Sequence, residues 1–137
     1  MILEPGVHVE TNTNSLCQAL AKAEESRFRV FDVDLTGTSD KRALFKRLQA
    51  GLSLPDYFGA NWDALEECLR DFEIGGGQGV LLVLRSADAL LALPASDRQA
   101  LISILSETAR FWEAEGVRFS SVLMGSPVLA EAITSAA

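Results

Sequence analysis

The amino-acid sequence predicts an α/β fold: a three-stranded parallel sheet in spatial order 1-2-3 with packed helices, plus an N-terminal helical extension. Three observations carry this. Residues 80–84, VLLVL, are continuously apolar, as befits a strand buried on both faces of a sheet. Residues 29–35 and 117–124 are mixed runs, apolar on one face and partly polar on the other. Stretches of helical apolar spacing separate all three, and crossovers of that length join parallel strands in a right-handed sense. The fully apolar strand belongs in the centre and the mixed ones at the edges. Such an order contains no reversal, so no switch-point crevice of the kind that holds cofactors in open sheets is expected.

Composition bounds the function classes. A chain of 137 residues suffices for one domain with its own core. No apolar run approaches the ~18–20 residues of a membrane span, and the first ten residues lack the basic and apolar regions of a signal peptide. Cys17 and Cys68 are too few and too far apart for a disulfide framework or a metal knuckle. A reduced, cytoplasmic monomer is expected, with no cofactor, no metal and no catalytic residue. The net charge is −7, and residues 55–74 carry most of it: Asp56, Asp63, Glu66, Glu67, Asp71 and Glu73 against Arg70 alone. Nucleic acid is a poor partner for such a chain, because phosphate contacts need Lys and Arg. A concentrated acidic patch suits a basic protein instead. On composition alone, a solvated and solubilising helix face is the plainer reading.

Taken in order, residues 7–9 form a short strand or an arm, and His8, the single histidine, reads as a surface residue. Asn14 caps a first helix to about Glu25, with Leu16, Leu20 and Ala23 inward and Cys17 as a small apolar residue. In the run 29–35, Phe31, Val33 and Leu35 alternate with Asp32 and Asp34, for which no third ligand supports a metal site. Thr36-Gly37-Thr38-Ser39 turns into a second helix, 40–50, whose core side is Leu44, Phe45 and Leu48. Its other side is basic (Lys41, Arg42, Lys46, Arg47), and beside an acidic helix it would balance charge within the molecule. Gly51 is the expected C-cap, and Pro55 blocks continuation. Residues 56–59 make a short turn. Gly75 to Gly79 form a flexible connection, because a glycine-rich run that follows a helix and lacks Lys-Ser/Thr is not a phosphate loop. Residues 86–94 are irregular or partly helical. Ser96 with Gln99 suggests a capping box for a long helix to Glu115, with Leu101, Ile104, Leu105, Thr108, Phe111 and Trp112 inward and Gly116 ending it. The last strand is expected half exposed, through Arg118, Ser120 and Ser121, and the small apolar tail frays or covers a strand edge.

The acidic helix is the organising feature. Asn61 caps it, and Trp62, Leu65, Leu69 and Phe72 form its apolar stripe, widened by Ala64 and Cys68. On the other side Asp63, Glu67 and Asp71 stand four residues apart with Glu66 alongside. Like charges at that spacing cost a helix roughly 0.2–0.5 kcal/mol per pair, and Arg70 relieves only part of this. A ridge that its own helix disfavours calls for a partner.

The stretch LPDYFGANWDALEECL resembles the signature of the barstar family, intracellular inhibitors of secreted microbial ribonucleases. The order and spacing match over this stretch. The strand at 80–84, the long helix ending Ala114-Glu115-Gly116 and the last strand line up as well. The resemblance covers residues 28–124 as a barstar-like domain, with 1–27 as an N-terminal arm and helix and 125–137 as a C-terminal tail. It implies a barstar-like three-stranded parallel sheet, and an immunity protein whose acidic helix plugs a basic ribonuclease or related toxin enzyme. By position, Tyr57, Asn61 and Asp63 match interface residues as they stand. Glu67 takes the place of the aspartate that mimics the substrate phosphate, one methylene longer. Trp62 replaces a smaller apolar residue, Glu66 an aromatic, and Phe111 an interface acid. Cys68 matches one family cysteine, while a second aligns near Val117. The partner-binding set is therefore Tyr57, Asn61, Trp62, Asp63, Glu66, Glu67 and Asp71. Two other readings differ in class: a barstar-fold interaction module with a non-nuclease partner, and an enzyme using the Asp63/Glu67 pair. The last lacks a histidine or any burial to raise a carboxyl pKa.

Overall fold

The apolar run forms the heart of strand β3 (Gly79–Arg85), which is buried along its length except at Arg85. The computed structural model describes residues 3–54, 61–72 and 78–136. Strand β3 is flanked by β2 (Phe28–Asp34) on one side and β4 (Arg118–Met124) on the other, all parallel, so the three expected strands stand in the expected relation. A fourth strand corrects the rest. Strand β1 (Gly6–Glu10) adds in parallel to the far side of β4, and the sheet runs β1-β4-β3-β2. It therefore has four strands rather than three, and β4 is interior rather than an edge. This is why Ser120 and Ser121, expected to be half exposed, are fully buried.

The order also contains the reversal that the three-strand reading lacked. From β1 the chain crosses the whole sheet to β2 through helix α1 (Thr13–Glu25), then returns stepwise to β3 and β4. Right-handed crossovers running in opposite directions must lie on opposite faces. They do so here. On one face Leu3, Leu16 and Ala23 bury Leu81, Val83 and Val122. On the other face α2 (Lys41–Leu52), α3 (Trp62–Arg70), a 3₁₀ turn (Ala87–Ala92), α4 (Ala95–Ala114) and α5 (Pro127–Ala136) pack on Val33, Val80, Leu82, Leu84, Phe119 and Leu123. The tail is thus a helix, with Leu129 fully buried.

Several local expectations shift for identifiable reasons. Asn12, not Asn14, caps α1, its side chain accepting the Asn14 amide at 2.8 Å. Cys17 faces solvent. Helix α2 runs past Gly51 to Leu52, and Ser53 ends it in the left-handed region at φ 52°. Gly51 has a packing reason, since a Cβ there would lie 2.5 Å from Val33 Cγ2. Helix α4 starts one residue after Pro94, so Ser96 falls inside the first turn and makes no cap. Gly116, at φ 80°, follows its last turn. Helix α3 ends at Arg70 with Asp71 as its C-cap, two residues short of the expected Phe72. Residues 56–59, Tyr57 included, and residues 75–77 of the glycine run lie outside the described residues.

The described part of the N-terminal segment, residues 3–27, accordingly contributes to the core. Leu16→Ala removes a side chain that is 2% exposed at the centre of the α1 face. It is expected to lower stability by about 2–5 kcal/mol, read from the midpoint of urea unfolding; a change near zero would show that the extension docks without supporting the sheet.

Candidate functional site

The acids of α3 line one surface groove. Asp63, Glu66, Glu67, Arg70 and Asp71 enclose an open space of about 440 Å³. The helix that presents them is fixed from both ends and below. At its start the Asn61 carboxamide accepts the Ala64 amide at 2.8 Å. Near its end the Trp112 indole of α4 donates to the Leu69 carbonyl at 3.0 Å, satisfying one of the terminal carbonyls that a helix leaves open. Beneath, Leu65 and Leu69 are buried, Phe72 stacks on Phe31 at 4.9 Å, and Trp62 meets Phe45 edge-on at 4.8 Å. Apolar anchoring of this kind lets the outer side carry charge that the helix alone would resist.

Compensation within the groove is partial. Arg70 Nη2 bonds Glu66 at 2.8 Å, and its guanidinium lies 5.4 Å from the centre of the Phe111 ring. Both ion-pair partners are substantially exposed, so their pairing is worth at most a few tenths of a kcal/mol. Asp63, Glu67 and Asp71 make no ion pair among the described residues. The basic side of α2 does not supply one: no ion pair joins α2 to α3 among the described residues, contrary to the expected internal balance. The field of the uncompensated acids reaches Cys68. Its thiol is pushed above its ordinary pKa by burial first, then by the charges of Glu67 and Asp71.

Of the residues singled out in sequence, the groove gathers Asp63, Glu66, Glu67 and Asp71. Asn61 serves as the cap, and Trp62 turns toward the core side, half-buried against Phe45. Tyr57 lies outside the described residues. The sequence reading missed that Trp112 holds α3 and that Phe111 flanks Arg70; only the Glu66–Arg70 spacing of four was visible as a pairing signal.

Other candidates resolve into structure. Asp32 receives both of its contacts from Arg85 Nε, at 2.8 and 2.9 Å. Asp34 accepts the Thr36 hydroxyl at 2.6 Å and the Thr36 amide at 2.9 Å, bonds that hold its carboxyl below the ordinary value. His8 Nε2 lies 2.8 Å from the Glu4 carbonyl. Among the described residues no three His, Cys, Asp or Glu side chains converge as metal ligands, and no helix is long and apolar enough to cross a membrane. The switch point created by the strand reversal lies between the ends of β1 and β4, and protein fills it. Gly125 N–H donates to the Glu10 carbonyl at 3.1 Å, and Asp88 accepts the Ser126 amide at 2.8 Å. A Cβ on Gly125 would come within 2.5 Å of Leu129 and 2.8 Å of Asp88.

The fold is thus a parallel α/β sheet with packed helices, one of which presents a row of acids. Residues 28–124 match the family described as Barstar (barnase inhibitor), and the chain belongs to that family. No curated protein matches the chain. Among solved structures it is similar to the Aeropyrum pernix ORC2 protein, in its ADPNP-ADP complexes, with a TM-score of 0.57 and 16% identity over 97% of this chain and 38% of that one. It is similar also to CDC6P from Pyrobaculum aerophilum (0.54; 18% identity; 97% and 35% of the two chains) and to a Walker-type ATPase of Pyrococcus abyssi (0.52; 13%; 96% and 43%). The chain spans less than half the length of these structures, and at such identity the likeness shows the fold alone. No G-x-x-x-x-G-K-[ST] stretch occurs in the sequence. Only Thr11 and Asn12 separate β1 from α1, and the Asn12 side chain occupies the first free amides of that helix.

The Cys68 thiol reports on the groove. Glu67→Gln removes the nearer named charge and is expected to lower the thiol pKa and raise its alkylation rate at pH 8, measured by mass spectrometry on the Cys68 peptide. An unchanged rate would mean that Glu67 points away from the groove floor.

Proposed function

We propose that the chain is an immunity protein that inhibits a basic microbial ribonuclease, its α3 acids entering the active site as phosphate mimics. The observation that carries this reading is the concentration of uncompensated carboxylates in one groove on a helix fixed at both ends. A nuclease site is cationic because it binds phosphates, so it complements this groove before contact. Attraction of that kind accelerates encounter and weakens with salt. Glu67, exposed at mid-helix between Asp63 and Asp71, stands where charge converges and would face the enzyme's cations. Asp63 supports it one turn earlier. Asn61 and Trp62 act by fixing the start of the helix, while Tyr57, Glu66 and Asp71 extend the contact. Residues 28–124 form the inhibitory domain, and the described parts of the two flanking segments complete its sheet and core. The inhibitor acts as a non-catalytic protein in the cytoplasm.

Titration of small basic ribonucleases with the chain, followed by RNA cleavage, tests this directly. Wild type is expected to inhibit, with weaker inhibition at high salt. Glu67→Ala and Asp63→Ala are each expected to cost about 2–5 kcal/mol of affinity, a magnitude whose type case is the barstar–barnase pair itself and which is adopted from there. Equal inhibition by wild type and both variants would place the binding surface elsewhere.

A further inference from the structure

The inhibitor reading leaves one charged surface unused. Helix α2 exposes Lys41, Arg42 and Lys46, and none of the three has an ion-pair or hydrogen-bond partner among the described residues. Their placement works against their own helix. Lys41 and Arg42 occupy the first turn, at the positive end of the dipole, and the last turn carries no base. Helix α3 differs: Asp63 in its first turn and Arg70 in its last suit the dipole, and only the C-cap Asp71 stands at the unfavourable end. The two helices adjoin through the Phe45–Trp62 contact at 4.8 Å, yet no ion pair bridges them among the described residues. One chain therefore carries a basic face on α2 and an acidic face on α3, on helices that touch through a half-buried tryptophan.

We propose that this surface binds a second copy of the chain, as a two-fold dimer in which α2 of each protomer lies against α3 of the other. A two-fold axis near the Phe45–Trp62 seam exchanges the stripes, so one closed interface pairs both basic faces with both acidic ones. The same surface pattern meeting itself head to tail would not close. Trp62 supplies the aromatic centre that a charged rim needs around it. RNA is the competing occupant, and the chain disfavours it. A net charge of −7 repels a polyanion along its whole length. Lys41, Arg42 and Lys46 also have no exposed aromatic ring interleaved with them in α2 on which a base could stack. A second copy carries the same net charge, but screening confines electrostatics to about 8 Å at physiological salt. Local complementarity then outweighs distant repulsion. The dimer would cover Asp63, Glu66, Glu67 and Asp71, so a basic target would have to displace it; that consequence rests on the inhibitor reading, whereas the dimer does not.

Sedimentation equilibrium of the full chain decides the matter. Wild type is expected to approach twice its 14.8 kDa mass at about 20 mM salt and to return to the single mass near about 0.5 M. The triple variant Lys41→Glu/Arg42→Glu/Lys46→Glu is expected to stay monomeric at low salt, and so is Asp63→Lys/Glu67→Lys, with circular dichroism confirming that both fold. Their equimolar mixture is expected to recover the dimer mass, since each restores the complement the other lost. A wild type that stays monomeric at low salt overturns the proposal. So does association that survives in both variants, or a series of species larger than a dimer. Retention of an RNA oligonucleotide that the triple variant abolishes, with no dimer at any salt, assigns the basic face to nucleic acid and overturns it equally. A salt-sensitive dimer from a chain that inhibits no ribonuclease leaves this proposal standing and removes the inhibitor reading.

Discussion

Strand β3 carries no polar side chain on either face before Arg85, and a strand of that kind needs cover on both sides of its sheet. Most of the architecture answers that demand. The stepwise return from β2 to β4 can cover only one face, because successive right-handed crossovers in one direction fall on the same side. Cover for the other face must come from a connection running the opposite way. The chain makes it with β1 and α1, which cross the sheet in a single span and bring Leu3, Leu16 and Ala23 onto Leu81, Val83 and Val122. The N-terminal segment lies outside the family-matched residues 28–124, yet it supplies one of the two layers.

With α1 on one face and α2 and α4 on the other, α3 is relieved of sheet-covering work. It packs chiefly on α4, through Leu65 and Leu69 and through the indole of Trp112 on its last carbonyls. That freedom matters because α3 is poor as an isolated helix. Its short length is marginal. Asp63–Glu67 and Glu67–Asp71 repel across successive turns, by roughly 0.2–0.5 kcal/mol each. Burying even one leucine is worth about 1.5–3 kcal/mol, so Leu65 and Leu69 outweigh the repulsion comfortably. Charge on the outside is affordable because the inside is anchored.

What could be read in sequence follows the range of the interactions involved. The apolar strand, the stripe of α3 and the Asn61 cap depend on neighbours a few residues away, and pattern alone locates them. Strand β1 does not. Val7 and Val9 form too short an alternation to declare a strand, and β1 becomes one only by pairing with Ser120 to Met124, more than a hundred residues on. Without it β4 looked like an edge, and the sheet reversal was invisible. The capping errors have a smaller cause. Pro94, with its fixed φ, starts α4 ahead of the Ser96 box, and Leu52 prolongs α2 past Gly51 because its side chain is needed in the core. The groove was half legible: spacing put its acids on one side, but the hold of Trp112 and the placing of Phe111 by Arg70 come from α4, forty residues away.

That contribution from α4 also shapes the charge of the groove. Arg70 is drawn toward Glu66 at one flank and toward the Phe111 ring at the other, so the cation spends itself at the α4 side. Glu66 is neutralised with it. Asp63 and Glu67, a turn apart, make no ion pair among the described residues, and Glu67 lies close enough to Cys68 to raise its thiol. The groove is therefore mixed rather than uniformly acidic: among the described residues it presents three carboxylates without an ion pair beside one paired ion over an aromatic ring. A basic surface that met all positions with cations would be repelled at Arg70. On the inhibitor reading, complementarity requires cations opposite Asp63 and Glu67, and an acid or an apolar group opposite Arg70 and Phe111. Selectivity among basic partners then comes from the flank that is not acidic, because repulsion of the wrong partner discriminates as strongly as attraction of the right one.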